Sequence, residues 1–393
     1  MKRRRLFDDL QGLSRLGVEA TLGMTDLVEE MHRSATSLPR AGRPGRALPT
    51  RTRGITGFVY RSVRRVTRWV GIGIEGAFDR LRSAAVLEGG RNTGEATPQR
   101  DAALAALNGV CGDRLESAGN PLAISMQFRR DGRPIDPAQE TGRRVVLLLH
   151  GLCCNDLHWR RNGHDHGAAI ATDLDFAPIY LFYNSGRAIA ANGKELAQRL
   201  EDLMSCWGAP VDELVVVAHS MGGLVMRSAC AAAEGCRWPS LLRKIVFLGT
   251  PHLGAPLERG GNRLHRALGV SSYTAAFARL ARVRSTGITD LRHGLPGNPH
   301  PAPAGVESYA VAATLSRAGE GAGRSTSRRL RSDGLVPVAS AFGDASEPAV
   351  ALAIPASRRH IGYGMNHMDL LDRPEIYARI RGWLAASRDS SAS

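Results

Sequence analysis

The segment Leu214-Val215-Val216-Val217-Ala218-His219-Ser220-Met221-Gly222-Gly223-Leu224-Val225-Met226 sets a serine between a β-branched apolar run and a helix-forming one. A serine on so sharp a strand-to-helix turn is held in a strained backbone conformation with its hydroxyl exposed. The residues two before and two after it must therefore be small. Here they are Ala218 and Gly222, alanine standing where the pattern usually has its first glycine. A helix that starts at once points its unpaired N–H groups at the place where negative charge would develop. The chemistry this arrangement suits is nucleophilic attack on a carbonyl, with Ser220 as the nucleophile.

A serine hydroxyl needs a base to attack at neutral pH, and the base needs an orienting carboxylate. On a turn of this kind the order along the chain is serine, then aspartate or glutamate, then histidine. Downstream lie His252, His265, His293, His300, His360 and His367. His367, in Gly364-Met365-Asn366-His367-Met368-Asp369, falls between the last expected strand and the C-terminal helix and is the expected base, with His360 as the alternative. Asp333, in the turn Ser332-Asp333-Gly334-Leu335, is the expected acid, with Asp290 and Asp344 as alternatives. The first strong strand runs into His150-Gly151-Leu152-Cys153, so the backbone amides of Leu152 and Met221 are the expected oxyanion donors. The reaction requires no cofactor. Asp156, His158, His164, Asp165 and His166 crowd the next stretch, but their spacing matches no defined zinc pattern, and no metal is expected. They are expected to orient the loop through hydrogen bonds from His158 or His164, and Cys153 to be a packing thiol.

These residues need elements to position them. Apolar runs bounded by turn residues occur at 145–149, 178–182, 214–217 and 245–248, with weaker ones at 309–312 and 349–353. Helical stretches fall at about 187–206, 221–234 and 374–386. Strands alternating with helices mean a mostly parallel sheet covered by helices. With the serine turn this predicts the α/β-hydrolase fold over 101–393, preceded by a basic helical extension over 1–100. Residues 256–300 break the alternation and are a candidate lid or insertion. Within the extension, helices are expected at about 1–36 and 55–86, separated by a Pro/Gly/Arg linker. The second sets Ile55, Val59, Val63, Val66, Val70 and Ile74 opposite Arg61, Arg64, Arg65 and Arg68.

The composition is that of a globular protein, with 43% hydrophobic and 23% charged residues, but the formal net charge of +15 is high. No nucleic-acid motif accompanies that charge, so nucleic-acid binding is not expected. An apolar stripe opposite an arginine stripe suits peripheral contact with an anionic membrane or lipid-inclusion surface through residues 1–90; the alternative is an arm packed on the hydrolase with its arginines solvated. Met1-Lys2-Arg3-Arg4-Arg5 is followed by no apolar run of signal-peptide length, and the six cysteines form no disulfide framework. A cytoplasmic protein with free thiols is expected.

At these residues the chain resembles the bacterial triacylglycerol lipases and related lipase-like serine esterases that include the GPI inositol-deacylases. The matching pieces are His150-Gly151-Leu152, Ala218-His219-Ser220-Met221-Gly222-Gly223, Leu248-Gly249-Thr250-Pro251-His252-Leu253-Gly254, Asp333-Gly334-Leu335-Val336-Pro337 and His367-Met368-Asp369, spread over 145–371. The resemblance implies a triad of Ser220, Asp333 and His367 and hydrolysis of a small-molecule or lipid ester through an acyl-enzyme. His252 would be structural. The calcium-binding aspartate pair that many bacterial lipases have around the triad acid cannot be placed in this sequence, so the resemblance implies no metal. Acyl transfer by the same triad, or a non-catalytic lipid-binding protein with a hydrolase core, are the alternative functions.

Overall fold

The structure, a computed structural model, describes residues 8–22, 26, 64–65, 67–69, 72, 98–255, 285–294, 303, 305–318, 332–344, 352 and 354–386. The chain divides into two units, Met1–Glu95 with Gly119–Leu122, and Ala96–Ala118 with Ala123–Ser393.

In the larger unit an eight-stranded sheet has the order β2-β1-β4-β3-β5-β6-β7-β8. The strands are β1 (Gln127–Arg130), β2 (Arg133–Pro134), β3 (Arg144–Leu149), β4 (Ala177–Phe182), β5 (Glu213–His219), β6 (Leu242–Leu248), β7 (Glu307–Thr314) and β8 (Arg359–Tyr363). From β4 through β8 every neighbouring pair is parallel, while β1 runs antiparallel to both β2 and β4. This is the α/β-hydrolase fold expected from the serine turn. Asp131 and Gly132, at φ of 55° and 73°, close the β1–β2 hairpin; Asp-Gly at two positive-φ positions is the pairing such a turn favours. Strands β3, β5 and β6 are apolar without alternation because helices cover both faces, and Val145–Leu149, Leu214–Ala218 and Ile245–Leu248 are buried throughout.

The helices that matter for the site are α1 (Pro98–Ser117), α2 (His166–Leu174), α3 (Ile189–Ser205), α4 (Met221–Ala231), α5 (Thr286–His293), α6 (Val338–Phe342) and α7 (Pro374–Ala385). The expected strands at 145–149, 178–182, 214–217, 245–248 and 309–312 are all present. The run 349–353 lies outside the described residues apart from Leu352, and the last strand among the described residues is β8, at 359–363. β1, β2 and α1 were not read from sequence. Of the candidate lid, 256–284 and 295–300 lie outside the described residues, and 286–293 form α5.

In the smaller unit, residues 8–22 and 26 are helical, as are 64, 65, 67–69 and 72; the rest of the two expected helices lies outside the described residues. Arg64, expected on the arginine stripe, is instead buried, and its guanidinium donates to Asp26 Oδ1 at 2.7 Å. Among the described residues no helix is long and apolar enough to cross a membrane, and all six cysteines are free.

Candidate active site

Strand β5 ends at His219, and α4 begins at Met221. The one residue between them, Ser220, has φ 55° and ψ −125°, a left-handed conformation that costs a non-glycine residue about 1–3 kcal/mol. Its N–H donates to Leu248 O at 2.8 Å, so pairing with β6 continues through the turn. The small neighbours have physical causes. A methyl on Gly222 would lie 2.7 Å from the carbonyl oxygens of Leu149 and His150, where β3 ends, and one on Gly223 would fall 2.9 Å from Phe247 Cδ1.

The loop after β3 approaches the serine equally closely. A methyl on Gly151 would sit 2.9 Å from Ser220 Cβ and 3.5 Å from its Oγ. Cys154 N–H turns back to Gly151 O at 3.3 Å, and Cys153 N–H donates to Ser185 Oγ at 3.0 Å. Among the described residues no acceptor is bonded to the amide of Leu152 or of Met221.

Asp333 and His367, 34 positions apart, meet. His367 Nδ1 and Asp333 Oδ2 are 2.6 Å apart, and both side chains are buried. The other carboxylate oxygen, Oδ1, accepts from the amides of Leu335 at 2.9 Å and Val336 at 2.7 Å, which fixes the carboxylate plane. With Nδ1 directed at the carboxylate, Nε2 is the nitrogen of neutral His367 that carries the lone pair. His367 opens a 3₁₀ turn, His367–Leu371, after β8. Its carbonyl accepts from His219 Nε2 at 3.2 Å, and the two imidazole rings lie 4.6 Å apart. Ser220 is thus covalently next to the ring that packs on His367. Among the described residues no hydrogen bond reaches Ser220 Oγ.

Residues 140–295 match the family model of the PGAP1-like alpha/beta domain. That match bears out the resemblance to lipase-like serine esterases over the part of the motif set it spans. No curated protein sequence matches the chain. Similar solved structures include the mature lipase BlEst2 of Bacillus licheniformis, at 15% identity and a TM-score of 0.42, covering 66% of this chain and 97% of that one. Another is a thermophilic esterase from Thermogutta terrifontis, at 15% identity and a TM-score of 0.34, with 66% and 92% covered. A third is lipase B of Aspergillus fumigatus, at 12% identity and a TM-score of 0.38, with 66% and 55% covered.

The alternative triad residues are engaged elsewhere. Asp290 Oδ2 accepts the Ile189 amide at 2.9 Å, capping α3, and Asp344 pairs with Arg359 at 2.7 Å. His360 lies within β8. His252 accepts from the guanidinium of the buried Arg227 at Nδ1, 3.1 Å, and packs edge-on against Phe247.

The crowded stretch after the oxyanion loop is used as hydrogen-bonding structure. His158 folds back on Asn155 to cap the short helix Asp156–Trp159. Asp165 caps α2 by accepting from Gly167 and Ala168. His166 Nε2 donates to Leu370 O at 3.0 Å, so its Nδ1 accepts from His164 Nε2 at 2.7 Å. Two histidines not singled out as site residues, His219 and His166, therefore hold the turn that carries His367. Gly249 supports it too: at φ 58° it leaves space that a methyl would fill 3.0 Å from His367 Cε1 and 2.8 Å from Leu370 Cδ1. In sequence, the pairing of His219 with Ser220 and of Gly249 with the Thr-Pro-His run were the available signals.

Burial disfavours the charged form of His150, His158, His166, His219 and His252. The pKa of His150 is lowered from 6.5 to about 3 and those of His158 and His166 to about 4, while His219 and His252 fall well below 6.5. Asp156 shifts the other way, pushed up to about 6 by burial against the opposing pull of Arg129. Below pH 6.5 the unfolded chain binds protons at these histidines that the folded chain refuses, so stability falls with pH by up to ~1.4 kcal/mol per histidine per pH unit. Asp156, protonated in the fold below about 6, offsets one of them over part of that window. Thermal melts from pH 7.5 to 4.5 are expected to show a Tm that declines from about pH 6.5 downward. A Tm constant to pH 4.5 would contradict the burial of these rings.

Proposed function

We propose that this chain is a serine esterase or lipase that cleaves carboxylic esters through an acyl-enzyme. Ser220 is the nucleophile, His367 the base, Asp333 its orienting acid, and the amides of Leu152 and Met221 the oxyanion donors. The observation that carries this reading is the 2.6 Å bond between His367 Nδ1 and Asp333 Oδ2, formed beside the strained turn of Ser220. His367 Nε2 takes the Ser220 proton as Oγ attacks the carbonyl carbon. The tetrahedral oxyanion is held by the two amides. The imidazolium then protonates the departing alkoxide, and water activated by the same nitrogen releases the acid. The direct test is covalent: a fluorophosphonate probe should label Ser220 in the full-length protein, and a protein left unlabelled would favour a non-catalytic hydrolase core.

We propose in addition that the N-terminal unit contacts an anionic lipid surface. Arg65, Arg68, Trp69 and Ile72 recur at the spacing of one helical face, and all four are exposed, Trp69 and Ile72 at 73% and 72%. Cations beside an exposed tryptophan suit an interface with anionic headgroups, where each arginine contributes about 1 kcal/mol. Reversing Arg65 and Arg68 to glutamate should lower co-sedimentation with phosphatidylglycerol vesicles more than tenfold at low salt. A wild-type protein that never co-sediments would refute the contact.

A further inference from the structure

Glycine inside a helix costs about 1 kcal/mol relative to alanine, so helical glycines that survive at a close approach have a steric cause. Helix α1, which kinks at Cys111, carries Gly109 and Gly112 on either side of the kink, the first against Cys153 and the second against Asn184. A methyl on Gly109 would fall onto Cys153 Sγ and within 2.9 Å of the Cys153 Cα and amide nitrogen. The obstructing atoms include backbone, so neither residue can yield cheaply. Gly109 is held from the other side, because the buried Ser285 hydroxyl donates to its carbonyl at 2.8 Å. One turn on, the Asn184 side chain fills the space of Gly112 and donates to the Gly112 carbonyl at 2.9 Å. At the start of α1, Asp101 accepts from Arg129 at 3.0 Å, and the same guanidinium group faces Asp156 at 3.6 Å.

Cys153 is itself unusual. It has φ 60° without being glycine, and its N–H is committed to Ser185 Oγ. The loop is therefore pinned at two points: Gly151 against Ser220, and Cys153 between Gly109 and Ser185. Leu152 is the residue between those pins.

We propose that α1, seated on Cys153 through Gly109, and Ser185, through the Cys153 amide, fix the direction of the Leu152 N–H. Gly109 and Ser185 are positioning residues of the oxyanion hole. This rests on the assignment of Ser220 and Leu152 made above. By absorbing the hydrogen bond of Cys153, Ser185 leaves the preceding amide as the one presented to the reacting carbonyl. Gly109 sets how far that loop can retreat from Ser220.

The test is steady-state hydrolysis of p-nitrophenyl acetate together with binding of an alkyl trifluoromethyl ketone, which forms the tetrahedral adduct. Gly109→Ala should lower kcat by about 10–100-fold, short of the ~10²–10³ for outright loss of a donor. KM should stay within about threefold, and affinity for the ketone should fall in proportion to kcat/KM. Ser185→Ala, which adds no bulk and removes only the hydroxyl that accepts from Cys153, should show the same pattern more mildly, and Ser185→Thr, keeping the hydroxyl, should recover most of it. Should Gly109→Ala fail to fold, Ser185→Ala decides alone. Folded variants with wild-type kcat, or a kcat loss without weaker ketone binding, would overturn the proposal. The underlying assignment fails separately: turnover by Ser220→Ala at the wild-type rate would remove the oxyanion hole itself, whatever Gly109 and Ser185 do.

Discussion

Ser220→Ala is expected to lower turnover of short p-nitrophenyl esters by about 10⁴–10⁶-fold, the loss typical of removing a triad nucleophile. Folding should survive the change. The Ser220 hydroxyl has no hydrogen-bond partner among the described residues, and the backbone at φ 55° is as strained for alanine as for serine. No buried group is left unpaired, so Tm should move by no more than a degree or two. Loss of activity with an unchanged melt and circular dichroism spectrum is the expected pair of results. Residual turnover near the wild-type rate would sink the nucleophile assignment.

Asp333→Asn should cost about 10⁴-fold in kcat, for a reason the geometry makes specific. Asp333 Oδ1 accepts two backbone amides, from Leu335 and Val336, and only an oxygen can do that. An asparagine keeping those bonds must turn its Nδ2 toward His367 Nδ1. That nitrogen then has to accept rather than donate, which moves the ring proton to Nε2, where the lone pair is needed. The substitution is nearly isosteric and should leave the fold standing with the wrong tautomer. His367→Ala should lose at least as much activity. An Asp333→Asn protein with unchanged kcat would pass the acid role to another residue, and an unaffected His367→Ala would do the same for the base.

The parallel centre of the sheet was legible because strands covered on both faces read as uninterrupted apolar runs, as in Val145–Leu149 and Ile245–Leu248. The turn at Ser220 was legible because sterics demand small residues on either side of it. The margins of the sheet are less legible. β1 (Gln127–Arg130) and β8 (Arg359–Tyr363) are short and interrupted by polar residues, two arginines in β1 and Arg359 and His360 in β8, since part of each meets solvent. Helix α1 carries small residues and glycines where its neighbours come closest, so its pattern lacks the large apolar stripe that marks a helix in sequence. The histidines posed a different difficulty. Spacing cannot tell a ring that takes protons from one that donates a single bond to a carbonyl, as His166 and His219 do, because the carbonyls they meet are 204 and 148 positions away.

The close fit of Gly249 against the His367 ring has a consequence for the order of events. With Asp333 bonded at Nδ1, the His219 ring against a face and Gly249 too near Cε1 to carry a methyl, the imidazole is held in one orientation. Under the proposed assignment a fixed ring has one working nitrogen, so the departing alcohol and the arriving water must use the same seat in succession. Water cannot enter until the first product clears, and the second half-reaction is timed by that departure. An alcohol supplied in excess would compete for the vacated seat. The ratio of new ester to free acid would then count which visitor reached a single nitrogen first.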